Sequence, residues 1–193
     1  MRISGGAAKG RKIGLRKVFL RRSDSDELRP TSAKVREAVF DIVGSMISGA
    51  AFLDLYAGAG GIGIEALSRG AGKAVFVESN PVRVKAICKL VSDFGFKEIA
   101  GVVRGRVDDF VKKRYGKDKY DIIFLDPPYN SDELTKALPL IAASDMLRDG
   151  GIVFAEHSSK AVLPDAIGGL KVKKRYKYGD TTLTSYNKNN YLL

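Results

Sequence analysis

Cysteine, histidine and long apolar runs are scarce in this sequence, and each scarcity excludes a class of protein. Cys88 is the single cysteine among 193 residues, so no intrachain disulfide can form, which suits a reducing compartment. His157 is the single histidine, so the usual zinc ligands are missing and we expect no metal site. The apolar runs fall well short of the roughly 20 residues that a membrane span requires. The first residues also lack the apolar core of a secretory signal, and we expect a cytoplasmic protein.

Acidic residues are few relative to basic ones, which points to a polyanionic partner. The chain has 33 Lys and Arg residues against 22 Asp and Glu, a net charge of +11. Residues 1–37 alone hold eleven basic and four acidic residues, a net charge of +7. An excess of this size favours nucleic acid through counterion release. A basic enzyme from a host with a basic proteome is the alternative, because composition does not locate a binding face.

Two regions follow from the pattern along the chain. Glycines and cations dominate residues 1–30, which we interpret as a small basic N-terminal extension with a hairpin-like turn that contacts RNA. Residues 31–193 form the main domain, which begins with a helix after Pro30 that Thr31 can cap. Strands are predicted near 51–56, 73–78, 99–104, 120–125 and 150–156, and helices near 62–69, 81–94, 107–114 and 131–143. This alternation predicts a doubly wound α/β sheet, with an antiparallel strand pair near 170–177 and 182–187.

A glycine-rich turn follows the first predicted strand. Gly58, Gly60 and Gly63 match the dinucleotide fingerprint, and Glu78 lies at the distance expected for a ribose ligand. That much fits a nicotinamide enzyme as well as a methyltransferase. Asp54 separates the two, because a carboxylate beside the loop repels a pyrophosphate and suits the methionine ammonium of S-adenosylmethionine. A helix-capping Asp54 with a surface Glu78 is the structural alternative.

A second turn, Asp126-Pro127-Pro128-Tyr129, ends the apolar run from Tyr120 to Leu125. Two prolines cannot continue a parallel ladder, and they make the turn rigid. Such a turn can direct the Asp126 carboxylate and the Pro127 carbonyl at one exocyclic amine, while Tyr129 stacks on the base. Open α/β sheets bind ligands at the carboxyl ends of their strands, so this turn should face the glycine loop. A plain strand-ending turn is the alternative.

Both motifs together resemble the amino-group methyltransferases of nucleic acids, whose signature is [Asp/Asn]-Pro-Pro-[Tyr/Phe/Trp]. Further segments resemble the RsmD-type family, which methylates guanine N2 in bacterial 16S ribosomal RNA. They are Arg2-Ile3-Ser4-Gly5-Gly6, Lys9-Gly10-Arg11-Lys12, Leu28-Arg29-Pro30-Thr31-Ser32, Val35-Arg36-Glu37-Ala38-Val39-Phe40, Glu65-Ala66-Leu67-Ser68-Arg69-Gly70-Ala71 and Tyr178-Gly179-Asp180-Thr181. The similarity covers nearly the whole chain.

The resemblance implies a Rossmann-like, seven-stranded class I fold, with S-adenosylmethionine as cofactor. The cofactor-binding residues would be Asp54, Tyr56, Ala57, Gly58, Gly60, Gly63, Glu78, Ser79, Val107 and Asp108. Asp126, Pro127, Pro128 and Tyr129 would be catalytic. Arg106 occupies the place where many relatives have an Asp that holds the adenine amine, so Asp108 or the backbone of Val107 would substitute.

The implied RNA contacts are Lys9, Arg11, Lys12, Arg29, Thr31 and Arg36, although Arg36 could equally pair with a neighbouring acid. The partner would be ribosomal RNA, within a small-subunit assembly, and we expect a monomer. Two other functions stay open: adenine-N6 methylation of DNA or RNA, which Asp-Pro-Pro-Tyr also serves, and a non-catalytic basic RNA-binding assembly factor. A nicotinamide dehydrogenase would leave Asp-Pro-Pro-Tyr unexplained.

Overall fold

A central sheet flanked by helices forms the frame of the molecule. The structure, a computed structural model, describes residues 1–14, 32–114, 117–129 and 131–188. Its helices are α1 (Ala33–Val43), α2 (Gly61–Ser68), α3 (Pro81–Asp93), α4 (Val107–Arg114) and α5 (Glu133–Ala143), with short 3-10 turns at Gly44–Ile47 and Lys97–Ile99. Its strands are β1 (Ala51–Leu55), β2 (Lys73–Glu78), β3 (Ala100–Arg104), β4 (Tyr120–Leu125), β5 (Leu147–Ser158), β6 (Ala166–Ile167), β7 (Leu170–Tyr178) and β8 (Thr181–Lys188).

The sheet has the order β3-β2-β1-β4-β5-β8-β7-β6. Its first five members pair in parallel, and β8, β7 and β6 pair antiparallel. The α/β fold and the antiparallel pair near the end of the chain are therefore confirmed. The described residues contain eight strands where seven were predicted, because the two-residue strand β6 pairs with the start of β7.

Alternate residues of the central strands enter two separate cores. Phe52 of β1 and Phe124 of β4 lie on the face covered by α1, α2 and α3. Leu53 and Leu125 lie on the opposite face, against α4 and α5. Because successive side chains of a strand point to opposite faces, a strand buried on both sides reads as a continuous apolar run. This is why the sequence located β1 and β4 so closely.

Two helix starts are fixed by polar side chains. The Ser32 hydroxyl accepts a hydrogen bond from the Val35 amide at 3.1 Å, so Ser32 and not the predicted Thr31 caps α1. Thr31 itself lies outside the described residues. Asn80 caps α3, directly before Pro81 at the first helical position. The cap places the start of α3 immediately after the carboxyl end of β2, beside the glycine loop.

The first fourteen residues form a hairpin-like turn that packs onto α2. Arg2 and Lys12 pair as an antiparallel bridge, and Ile3 and Ile13 are buried in the first core. The Glu65 carboxylate of α2 accepts hydrogen bonds from the Ser4 amide and hydroxyl and from the Gly5 amide, at 2.7–3.1 Å. This turn is therefore joined to the core. The proposed domain boundary between residues 30 and 31 lies outside the described residues.

None of the helices in the described part of the chain has both the length and the apolar character needed to cross a membrane.

Candidate active site

The glycine loop and the Asp-Pro-Pro-Tyr turn lie at the same edge of the sheet. β1 and β4 are parallel neighbours, with Leu55 aligned to Leu125. The residues that follow, Tyr56 and Asp126, therefore leave the sheet side by side. Asp126 is also close enough to Asp54 to act on its ionisation. The structure thus brings together the two segments that the sequence placed in one pocket.

The glycine loop bends through three residues with positive φ. Tyr56, Gly58 and Gly60 have φ angles of 61°, 56° and 75°, a region that favours glycine. Gly63 is required for another reason, because a Cβ there would lie 2.2 Å from Cε1 of Phe76. Gly63 thus allows α2 to approach β2 closely, and the loop exposes backbone at the edge of the sheet.

Asp54 is buried at the end of β1. Its Oδ2 accepts a hydrogen bond from the Gly63 amide at 3.1 Å, and the side chain is 1% exposed. Burial raises the pKa of Asp54 well above its usual range, and the charges of Asp126 and Glu78 raise it further, although the Gly63 hydrogen bond opposes them. A cationic ligand in this pocket would relieve the repulsion among these carboxylates.

Glu78 holds the glycine loop from the end of β2. Its two carboxylate oxygens accept hydrogen bonds from the Gly58 and Asn80 amides, both at 2.8 Å. Arg83 of α3 lies 3.8 Å from the same carboxylate. Glu78 is nearly buried, whereas Ser79 is exposed. A carboxylate fixed in this way retains lone pairs for further donors such as ribose hydroxyls.

A chain of polar contacts runs along another side of the loop. The Tyr56 hydroxyl donates to Glu133 at 2.9 Å, and Glu133 lies 3.4 Å from the Arg106 guanidinium. Arg106 in turn lies 3.2 Å from Asp108, while Val107 is buried at the start of α4. Burial, followed by the Glu133 hydrogen bond and charge, raises the pKa of the Tyr56 hydroxyl. The sequence analysis did not identify Glu133, which the start of α5 brings to this loop.

The Asp-Pro-Pro-Tyr turn is fixed by its neighbours. Asp126 is partly exposed, Pro127 is buried and Pro128 is exposed. The Pro128 carbonyl accepts hydrogen bonds from the Ser131 amide at 3.1 Å and the Ser131 hydroxyl at 2.6 Å. The Tyr129 hydroxyl donates to Glu156 at 3.1 Å and lies 2.7 Å from the Thr181 hydroxyl. These contacts of the hydroxyl fix the position of the Tyr129 ring.

Glu156 is a candidate site residue that the sequence analysis missed. It lies near the carboxyl end of β5, is 3% exposed, and its Oε2 has no hydrogen-bond partner among the described residues. Burial, and then the charge of Asp126, raise the pKa of Glu156 to about 8, against the effect of the Tyr129 hydrogen bond. Burial thus favours the protonated form of Glu156, which avoids a second negative charge beside Asp126. An acidic residue inside an apolar strand was the available signal.

The predicted RNA contacts differ in accessibility. Lys9 and Lys12 are exposed on the N-terminal turn. Arg11 donates to the Asp93 carbonyl at 2.7 Å and lies 4.0 Å from the centroid of the Phe94 ring. Arg29 and Thr31 lie outside the described residues.

Arg36 requires a correction, because its side chain is 4% exposed and lies 3.6 Å from Glu65. The structure favours the ion pair over an RNA contact, since a buried guanidinium cannot reach a phosphate.

Comparison with known proteins gives a consistent result. The family described as "Conserved hypothetical protein 95" matches residues 1–187. The Bacillus subtilis protein YlbH, provisionally named an rRNA methyltransferase, is 34% identical over 97% of this chain and 99% of its own. The "Ribosomal RNA small subunit methyltransferase D" of Escherichia coli K12 is 28% identical over 97% of this chain and 90% of its own.

Solved structures show the same fold. The Escherichia coli protein yhhF, provisionally titled a methyltransferase, superimposes with a TM-score of 0.83 and 25% identity over 97% of both chains. An RNA methyltransferase from Salinibacter ruber, solved with S-adenosyl-L-homocysteine, superimposes with a TM-score of 0.59 and 18% identity over 86% of this chain and 97% of its own. With a family model that spans almost its whole length, the chain belongs to the "Conserved hypothetical protein 95" family, that of the RsmD-type methyltransferases.

Proposed function

We propose that the protein transfers a methyl group from S-adenosylmethionine to the N2 amine of a guanine in small-subunit ribosomal RNA, in the cytoplasm and as a monomer. The observation that carries the proposal is the shared edge of the sheet, where Tyr56 and Asp126 follow two paired strands. The family and the names of the relatives support an rRNA substrate. The guanine N2 position comes from the resemblance of the motifs.

The residues at this edge fit a cationic cofactor with a ribose. The Asp54 carboxyl group, whose ionisation the neighbouring Glu78 opposes, suits the ammonium group of the cofactor. Glu78 would accept the ribose hydroxyls, and the backbone from Tyr56 to Gly60 would line the cofactor. The proposed cofactor-binding set is completed by Tyr56, Ala57, Gly58, Gly60, Gly63, Ser79, Val107 and Asp108. When bound, S-adenosylmethionine supplies an activated methyl group.

The catalytic turn would act on the amine. The exocyclic nitrogen of guanine is a poor nucleophile, because its lone pair is delocalised into the ring. The Asp126 carboxylate and the Pro127 carbonyl would accept hydrogen bonds from its two N–H groups and favour a pyramidal nitrogen. Asp126, which is partly exposed to solvent, would also take up the proton that the nitrogen releases when it is methylated. Tyr129 would hold the base plane by stacking.

Incubation with undermethylated small ribosomal subunits and isotopically labelled S-adenosylmethionine tests the proposal. Nucleoside mass analysis should find the label in N2-methylguanosine at a single mapped position. Label in N6-methyladenosine would replace the proposal by adenine methylation. Salt-dependent RNA binding without cofactor binding in calorimetry would instead support a non-catalytic assembly factor.

A further inference from the structure

Strand β7 carries the densest positive charge in the described part of the chain. Between Leu170 and Tyr178 it has five basic residues and no acidic one, and all five are exposed. They are Lys171, Lys173, Lys174, Arg175 and Lys177. At about 3.3 Å per residue they span roughly 20 Å. From the sequence alone, this strand was expected only to pair with the strand that follows it.

The strand leads to the candidate active site. β7 and β5 are both antiparallel to β8, so β7 ends at the edge of the sheet where the Asp-Pro-Pro-Tyr turn lies. Its last residue, Tyr178, pairs with Thr181, whose hydroxyl lies 2.7 Å from the hydroxyl of Tyr129. The Ser159 amide donates to the Asp180 carbonyl at 2.8 Å, which fastens the β7–β8 turn to the end of β5.

Four of the five basic residues make no ion pair with a described residue, and three of these four lie beyond Lys171, where the pairing of β7 with β6 ends. Arg175 is engaged with Asp165 at 2.7 Å and with the Leu163 carbonyl. Lys173, Lys174 and Lys177 have no carboxylate within ion-pair distance among the described residues, and Lys174 lies 5.0 Å from the centroid of the Tyr176 ring. A lysine beside a partly exposed tyrosine is a combination that nucleic-acid sites use for phosphate and base contacts.

The N-terminal cations are less well placed for this purpose. The Ala7 and Ala8 amides donate to Ser68, the last residue of α2, and Arg11 contacts Asp93, the last residue of α3. Both helices start at the catalytic edge, so these contacts lie at the far ends of α2 and α3. Lys9 and Arg11 are therefore separated from the glycine loop by the length of a helix, about 12 Å for α2.

We propose that Lys173, Lys174 and Lys177, with Lys174 and Lys177 on opposite faces of β7, flank its outer edge and form a phosphate-binding track that guides the RNA backbone to the catalytic turn. This inference rests on the proposed function for its partner, an RNA. Phosphate contacts position a nucleic acid without reading its sequence, and a track that ends beside Tyr129 would deliver a nucleotide to it. β6 pairs only with Leu170 and Lys171, so the rest of β7 has no described strand on its outer side. Lysines on such an edge can also serve to prevent strand-to-strand aggregation, and that role predicts no change in RNA affinity when they are removed.

The test compares the variant Lys173→Gln/Lys174→Gln/Lys177→Gln with a control that loses the same charge elsewhere. The control, Lys85→Gln/Lys97→Gln/Lys113→Gln, removes exposed lysines near the opposite, β3 end of the sheet. Affinity for an unmodified 16S ribosomal RNA transcript is measured by fluorescence anisotropy at several salt concentrations. The β7 variant should bind about 10- to 50-fold more weakly at 0.15 M salt, with a slope of log K against log salt that is smaller by about 2. The control should retain the wild-type slope.

Equal slopes and affinities for the β7 variant and wild type would overturn the track. If the triple variant aggregates, the single variant Lys177→Gln replaces it in the test. This variant should reduce the slope of log K against log salt by about 0.7. Binding is measured without methyl transfer, so the two proposals can fail separately. If the wild-type protein methylates no guanine and the β7 variant still binds RNA more weakly than wild type, only the proposed function is refuted.

Discussion

Four carboxyl side chains, Asp54, Glu78, Asp126 and Glu156, lie at or just beyond the carboxyl ends of four parallel strands. At the scale of single residues, their surroundings give them different tasks. Glu78 is hydrogen-bonded to the glycine loop, Asp54 to the Gly63 amide, and Glu156 to Tyr129. Asp126 alone among them is partly exposed, which leaves it accessible to a substrate. Three of the four were predicted, since each follows or closes an apolar run beside a turn.

Glu156 yields a prediction about pH and stability. Its pKa is about 8 in the folded protein, well above that of an unfolded glutamate, so the folded state holds one more proton between these values. Its contribution to the free energy of unfolding is greatest below about pH 4.5 and decreases as the pH rises toward 8, by at most about 1.4 kcal/mol per pH unit. Asp126 and Tyr129 face the same carboxyl group, so the comparison needs a variant that keeps their contacts.

Glu156→Gln is that variant, because the amide keeps an oxygen for Tyr129 and cannot ionise. Urea unfolding at pH 5, 6, 7 and 8 should show wild type losing stability relative to Glu156→Gln as the pH rises. Other titrating groups largely cancel in this difference. A difference that is independent of pH would contradict the raised pKa.

At the scale of elements, the apolar pattern predicted the strands and most helices. It could not predict the polar contacts between elements. The positions of β1 and β4 follow directly from the sequence, because both faces of these strands are buried and each strand is a continuous apolar run. Strand β6 has two residues and carries no pattern of its own. Glu133 and Glu156 join the site through the docking of α5 and β5, a tertiary arrangement that spacing along the chain does not encode. Ser32 and Thr31 are both good caps, and local sequence does not choose between them.

The attachment of the N-terminal turn to α2 gives a prediction at the same scale. Glu65 is fully buried and accepts from Ser4, Gly5 and Arg69. Glu65→Ala should lower the free energy of unfolding by about 3–5 kcal/mol, because it leaves these donors without their acceptor and Arg36 without its ion-pair partner. Lys89→Gln, which breaks the exposed pair with Asp93, is the control and should cost less than about 1 kcal/mol. Similar losses for both variants would mean that the contacts of Glu65 contribute little to the attachment of the N-terminal turn.

At the scale of the whole molecule, the basic strand β7 ends at the same edge of the sheet as the Asp-Pro-Pro-Tyr turn. From the sequence, RNA contacts are predicted mainly in the N-terminal region, and for Lys9 and Lys12, which are exposed, this stays a prediction. The charge pattern along a chain does not show which basic side chains make contacts within the fold. Arg36 forms an ion pair inside the core, and Arg11 donates a hydrogen bond to the end of α3. The fold, which places β7 two strands away from β5, brings another set of lysines toward Tyr129.

The central claim is that the glycine loop and the turn at Asp126 form one pocket, in which the loop binds the cofactor and the turn acts on the amine. Measuring methyl transfer by Asp126→Ala tests this claim most directly. We predict that transfer to undermethylated small subunits falls at least 100-fold, the order seen when a key electrostatic contact to a transition state is lost. S-adenosylmethionine affinity, measured by calorimetry, should stay within a few fold of wild type. Asp132→Ala, which removes a nearby exposed carboxylate paired with Lys136, should leave both unchanged. A transfer rate near wild type in Asp126→Ala would contradict the account.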